Sequence, residues 1–210
     1  MRHVVCTIAL SGLVAAPAFA QIDRRIPIAV FDARAFTTGL NADTTTAENL
    51  EIPVEDLPTR GLGGVFGAHV YPLRRTSLAL GLGGEFMFAR GSNQPVNDAG
   101  RPVGDPVGRR LQSFSVLASL NFGHRDGFSY LTGGMGPLLY QTYIGEPPPD
   151  EAPRKATMNM GGGARWFFSR HLAFGFDVRF YLTRPEAISG TIPGRARQRL
   201  LVLSAGLSIR

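Results

Sequence analysis

The chain has 210 residues, 26 glycines, a single cysteine and a formal net charge of +6. Its cysteine, Cys6, lies in the N-terminal apolar stretch, which leaves the rest of the chain no disulfide framework and no thiolate metal site. No later apolar run reaches the roughly 18 residues that a membrane helix needs, and long 3.6-residue apolar stripes are scarce, which argues against a helical membrane bundle.

The N-terminus reads as a targeting segment. Arg2 and His3 form a basic head, residues 4–16 are apolar, and Ala18-Phe19-Ala20 is a small-x-small cleavage site. That order predicts a secretory signal peptide over 1–20, cut after Ala20, and one mature domain over 21–210. The apolar stretch is too short to span a bilayer as a helix.

From there the sequence alternates. In 27–37, Ala29, Phe31, Ala33 and Ala35 oppose Asp32 and Arg34. In 60–71, Leu62, Phe66, Ala68 and Val70 oppose glycines and His69. The pattern is strongest in 77–90, where Leu78, Leu80, Leu82, Phe86 and Phe88 oppose Ala79, Gly81, Gly83, Glu85 and Met87. Successive strand residues point to opposite faces, so each segment has one greasy face and one small or polar face. In 113–122, Phe114, Val116, Ala118, Leu120 and Phe122 oppose Ser113, Ser115, Leu117, Ser119 and Asn121. The segment 128–143 is strand-like, with ambiguous facing around Pro137. In 158–166, Met158, Met160, Ala164 and Trp166 oppose Asn159, Gly161, Gly163 and Arg165. In 172–182, Leu172, Phe174, Phe176, Val178, Phe180 and Leu182 oppose Gly175, Asp177 and Arg179, and 198–209 places Leu201, Leu203, Ala205, Leu207 and Ile209 on its greasy face.

These eight segments are joined by connections that alternate long and short: 38–59, 72–76, 91–109, 124–127, 145–156, 169–171 and 184–197. Short turns at one end, long loops at the other and an even strand count are the pattern of outer-membrane barrels. A soluble barrel packs its greasy face inward; a membrane barrel turns it to lipid and keeps polar side chains inside. Here the greasy face is rich in phenylalanine and the other in glycine, which suits a crowded lumen. The expectation is an all-β fold, an eight-stranded antiparallel up-and-down transmembrane β-barrel. An exported soluble barrel carrying a lipid or ligand is the main alternative. Trp166, Phe167, Phe168 and Phe122, together with Tyr71, Phe128 and Tyr130, lie close to short turns, where a membrane interface gathers aromatic residues.

Residues 161–181 (GGGARWFFSRHLAFGFDVRFY) resemble the penultimate hairpin of OmpA/OmpX-type outer-membrane β-barrel domains: a Gly-rich strand, a tight turn and an aromatic strand carrying an acid and a base. The resemblance implies location in the bacterial outer membrane, with outer-membrane lipid and the barrel-assembly machinery as partners. Such domains usually end on an aromatic residue that this machinery reads; this sequence ends Leu207-Ser208-Ile209-Arg210. No peptidoglycan-binding domain is expected after the eighth strand.

The candidate site is the polar face. Asp32, Arg34, Glu85, Arg165, Asp177 and Arg179 fall on it in mid-strand, three acids against three arginines. Charges in such an interior must be paired, and strand adjacency suggests Arg165 with Asp177. The network is expected to plug the barrel; a gate for water or small ions is the sharper alternative. His69 is expected to point inward, near Ser77 across the turn. No acid is positioned to complete a catalytic triad, so no enzyme activity is expected; a lipid-modifying enzyme is kept as an alternative because barrels of this size include some. There is no phosphate loop, metal cluster or cofactor fingerprint, and an exported barrel meets no nucleic acid. The first long loop is acidic, the last basic, and the short turns carry Arg74, Arg75, Arg125 and Arg170, which suit lipid phosphates. The partner of the loops is not encoded in any motif.

Overall fold

The computed structural model describes residues 25–146, 154–183 and 199–210. The signal peptide expected over 1–20 and the last long connection, 184–197, lie outside the described residues, as does most of 145–156. Eight antiparallel strands, β1 (Ala29–Gly39), β2 (Arg60–Arg74), β3 (Leu78–Asn93), β4 (Val107–His124), β5 (Gly127–Ile144), β6 (Lys155–Phe167), β7 (Leu172–Thr183) and β8 (Arg199–Ile209), pair in chain order. The sheet closes where β1 meets β8, from Phe31 opposite Ile209 to Thr38 opposite Val202. Closure leaves no free sheet edge, the condition for strands to cross a bilayer.

The greasy set faces outward. Phe31, Leu62, Phe66, Val116, Leu131 and Met135 are all more than half exposed, and Phe176, Leu203 and Leu207 share that outer wall. A predominantly apolar outer wall with a charged layer inside is the inverse of a soluble barrel. The ambiguous strand resolves cleanly: Phe128, Tyr130 and Thr132 point in, and Leu131 and Met135 point out. Beside Pro137, which has no N–H to give, the β4–β5 ladder is interrupted between Ser113–Leu138 and Val116–Met135 and resumes in the same register. A bulge between Val70 and Leu73, around Pro72, shifts the β2–β3 register and lets β2 run to Arg74.

The strands are not of equal height. β3, β4 and β5 have 16, 18 and 18 residues, against the 11 of β1 and β8. A tilted strand crosses a bilayer in about 9–11 residues, so β3–β5 rise beyond it as a wall at the long-loop end. The first long loop folds against that wall. It contains a helix, α1 (Thr44–Asn49), and a 3-10 turn at Val54–Asp56. Asp43 caps α1 by accepting hydrogen bonds from the Thr45 N–H and the Thr46 hydroxyl. Ala47 and Leu57 bury against Val107 of β4, and Asn93 of β3 donates to the Glu55 and Asp56 carbonyls.

Candidate functional site: the charged interior

Three layers of buried side chains stack inside the barrel among the described residues. At the long-loop end Phe36, Val65, Met87, Leu111, Tyr181 and Val202 belong to one apolar cluster. At the short-turn end Ile26, Val30, Tyr71, Ala79, Phe128 and Tyr130 form another. The charged layer lies between them. Asp32, Arg34, Glu85, Arg165, Asp177 and Arg179 all lie in the interior, each no more than 5% exposed. They come from β1, β3, β6 and β7, so the layer spans the whole circumference.

The six charges form two units. In the first, Arg34 and Arg179 each touch both Glu85 and Asp177. The Arg34 Nη2–Glu85 Oε2 distance is 2.6 Å, Arg34 Nη1–Asp177 Oδ2 3.2 Å, Arg179 Nη1–Glu85 Oε1 2.7 Å and Arg179 Nη2–Asp177 Oδ2 2.9 Å. This is a closed cycle of alternating sign. In the second unit, Arg165 forks onto Asp32, with Nε 2.9 Å from Oδ1 and Nη2 2.5 Å from Oδ2. The Ser208 hydroxyl adds a third donor to Asp32, at 2.6 Å. Forked, charge-assisted contacts of this kind are the strong ones.

Arg165 therefore pairs with Asp32, not with Asp177 as strand adjacency suggested. In the β6–β7 ladder Gly163 lies opposite Asp177, and Arg165 opposite Gly175. The space beside Gly163 is taken by Tyr130, whose hydroxyl stands 2.7 Å from where a Cβ would be. That hydroxyl donates to Asp177 Oδ2 at 2.9 Å and accepts from Arg34 at 3.2 Å. Arg165 instead reaches across the lumen, its guanidinium 4.3 Å from the Tyr130 ring centre and 5.5 Å from that of Phe128. In so narrow a barrel the opposite wall is within reach of a long side chain, and neighbour-strand logic does not see it.

Other expectations change as well. His69 points inward, but its neighbour is Asp32 Oδ2, 3.4 Å from Nε2 and too poorly aligned for a hydrogen bond. In the β2–β3 ladder His69 lies opposite Gly83, not opposite Ser77. Tyr71, Phe128 and Tyr130 are buried inside the short-turn end instead of lining the membrane interface; Phe122, Trp166 and Phe168 are on the outside, and Phe167 packs onto the inner cluster. Glycine makes this possible: a Cβ at Gly81 would lie 2.8 Å from the Tyr71 ring and 2.5 Å from the Ser119 hydroxyl.

Tyr130 and Ser208 are members of the site that sequence reasoning left out. The signal for Ser208 was present, since Leu200, Val202, Ser204 and Ser208 share the inward parity of β8. Arg109 was assigned to a loop; it is a fully buried β4 residue that donates to the Asn41 and Pro58 carbonyls and holds the first loop in place.

The chemistry of the layer is that of a lock. Ser208, Asp32 and His69 are adjacent, but the carboxylate sits between the hydroxyl and the imidazole. The imidazole has no line to the serine proton, which a nucleophile–base–acid chain requires. Among the described residues no group of histidines, cysteines and acids is arranged to hold a metal.

No protein-family model and no curated protein matches the sequence. Among solved structures, the crystal structure of Neisserial surface protein A (NspA) matches with a TM-score of 0.54 at 12% identity, covering 87% of this chain and 97% of that one. At that identity the likeness carries the fold: a closed, eight-stranded, up-and-down antiparallel barrel.

Proposed function

We propose that this protein is a small barrel of the bacterial outer membrane whose role is structural or interaction-bearing, exerted through its long loops, with an interior that is a plug and not a pore. The observation that carries the reading is the combination of a mostly apolar outer wall with an interior stacked, among the described residues, in three buried layers. Two apolar clusters cover a charged layer in which every acid is paired with an arginine. An eight-stranded barrel leaves an interior that side chains nearly fill. The likeness to a protein described as a surface protein supports the same setting. The folded first loop, pinned by Arg109, offers a preformed surface at the long-loop end.

The test is fractionation with heat-modified gel mobility, followed by planar-bilayer recording. The protein is expected in the outer-membrane fraction, shifting on boiling, with no steady conductance. Single cysteines at Asn97 and Asp126 test orientation in intact cells: labelling is expected at Asn97 and not at Asp126. The opposite labelling refutes the orientation. A conductance that rises on Glu85→Gln without loss of stability would replace the plug with a gate.

A further inference from the structure

The mouth at the short-turn end holds a concentration of positive charge that the lumen network does not absorb. Arg74 ends β2, Arg125 and Arg170 come from the turns after β4 and β6, Arg25 lies in the segment before β1, and Arg210 follows β8. With His171 they line a cleft of about 410 Å³. Pro27 and Ile28 give it an apolar side. Asp126 is the single acidic side chain of these turns among the described residues, and it is 88% exposed, 3.8 Å from Arg210.

The cleft is built and not incidental. Arg210 is fixed from three sides: Nε donates to the Arg170 carbonyl at 2.7 Å, Nη1 donates to the Arg125 carbonyl, and the guanidinium lies 3.9 Å from the Phe167 ring centre. Arg74 donates to the Ile26 carbonyl at 3.0 Å, which ties the entering chain across the mouth. Burial and the neighbouring Arg125 push the Arg210 pKa down, as expected where cations crowd. Arg125 and Arg210, held together in this way, repel unless a counter-anion joins them.

We infer that this cleft is a binding site for phosphate-bearing anions. Guanidinium forks match phosphate oxygens, and Arg74, Arg125 and Arg170, arriving from three separate segments, can approach a tetrahedral oxyanion from several sides, where a planar carboxylate is satisfied by one or two. The phosphate can belong to a lipid headgroup at the membrane edge, with Ile28 against its glycerol, or to a soluble phosphate. The inference rests on the short-turn end alone and stands whether or not the barrel conducts.

Calorimetric titration of the full chain, folded in a maltoside detergent that carries no phosphate, tests it with two probes: inorganic pyrophosphate and monomeric dihexanoylphosphatidylglycerol. At least one is expected to bind, and Arg125→Gln with Arg170→Gln is expected to weaken it roughly tenfold or more. Arg101→Gln with Arg154→Gln, away from the cleft, is expected to leave it unchanged. The probe that binds more tightly identifies the source of the phosphate. No binding of either probe overturns the inference, as does equal weakening by both double variants, which would mean diffuse attraction only. Heat-modified mobility checks folding; should the cleft pair misfold, Arg170→Gln alone, an exposed side chain, is held to the same criterion at a severalfold loss.

Discussion

Asp32 and Arg165 give the sharpest test of the interior. Asp32 accepts two hydrogen bonds from Arg165 and one from Ser208. Asp32→Ala strands the Arg165 guanidinium between Phe128 and Tyr130, in a layer with no other free acid among the described residues. Breaking a buried pair by removing one partner costs about 3–5 kcal/mol, because the remaining charge is buried and unpaired. Arg165→Ala strands Asp32, which keeps Ser208 and His69 as neighbours, so its cost should sit at the lower end of that range. The double variant leaves no stranded charge. It should be more stable than the sum of the two losses implies by about 2–4 kcal/mol. Trp166, the only tryptophan of the chain, lies on the outer wall and reports denaturant unfolding from lipid vesicles by its transfer to water. The parallel cycle of Arg165 with Asp177, linked only through Tyr130, should show coupling below about 1 kcal/mol. If Asp32 and Arg165 prove additive to within about 0.5 kcal/mol, or the Asp177 cycle carries the larger coupling, the pairing described here is wrong.

Three further outcomes follow from the packing. Phe176→Arg places a charge on the outer wall and should cost about 2–4 kcal/mol in lipid if it lies near the bilayer midplane, read in the same unfolding assay. Gly81→Ala overpacks the contact with Tyr71 and Ser119 and should cost about 1–3 kcal/mol, partly recovered by Tyr71→Leu, with the near-ultraviolet circular dichroism of the tyrosines changing in step. Arg109→Ala releases the Asn41 and Pro58 carbonyls; limited proteolysis should then cut within residues 41–58 while the heat-modified mobility of the barrel stays unchanged.

The architecture was legible because a membrane barrel writes its pattern at period two. Once Phe86 and Phe88 oppose Glu85 and Met87, the facing of a whole strand follows. The alternation of long and short connections then fixed which ends lie together. What could not be read was anything decided across the lumen. Asp32 and Arg165 are 133 residues apart and on strands that do not pair. Their meeting depends on the barrel's diameter and on Tyr130 filling the place beside Gly163. Nor was the height of the wall visible, because 91–109 is rich in glycine, proline and charge, yet β3 and β4 pair as far as Asn93 and Val107. The helix of the first loop did leave a signal: Asp43 before Thr44-Thr45-Thr46 is a helix N-cap pattern, but the surrounding loop offered no apolar stripe to draw attention to it.

The position of the charges also explains how closure is specified. β1 supplies Asp32 and Arg34, and neither has its ion-pair partner on a neighbouring strand: Asp32 needs Arg165 of β6, and Arg34 needs Glu85 of β3 and Asp177 of β7. The network is therefore complete only after β1 has met β8, since no single hairpin contains it. A slip of one residue in that last pairing would turn Asp32 and Arg34 to the lipid side and put Ala33 inside. Charged side chains facing the bilayer centre cost several kcal/mol each. Apolar residues alone could not enforce this, because alanine and leucine are tolerated on either side of the wall. The buried charges thus act against wrong registers more than in favour of the right one, which is the best-attested use of buried ionic groups.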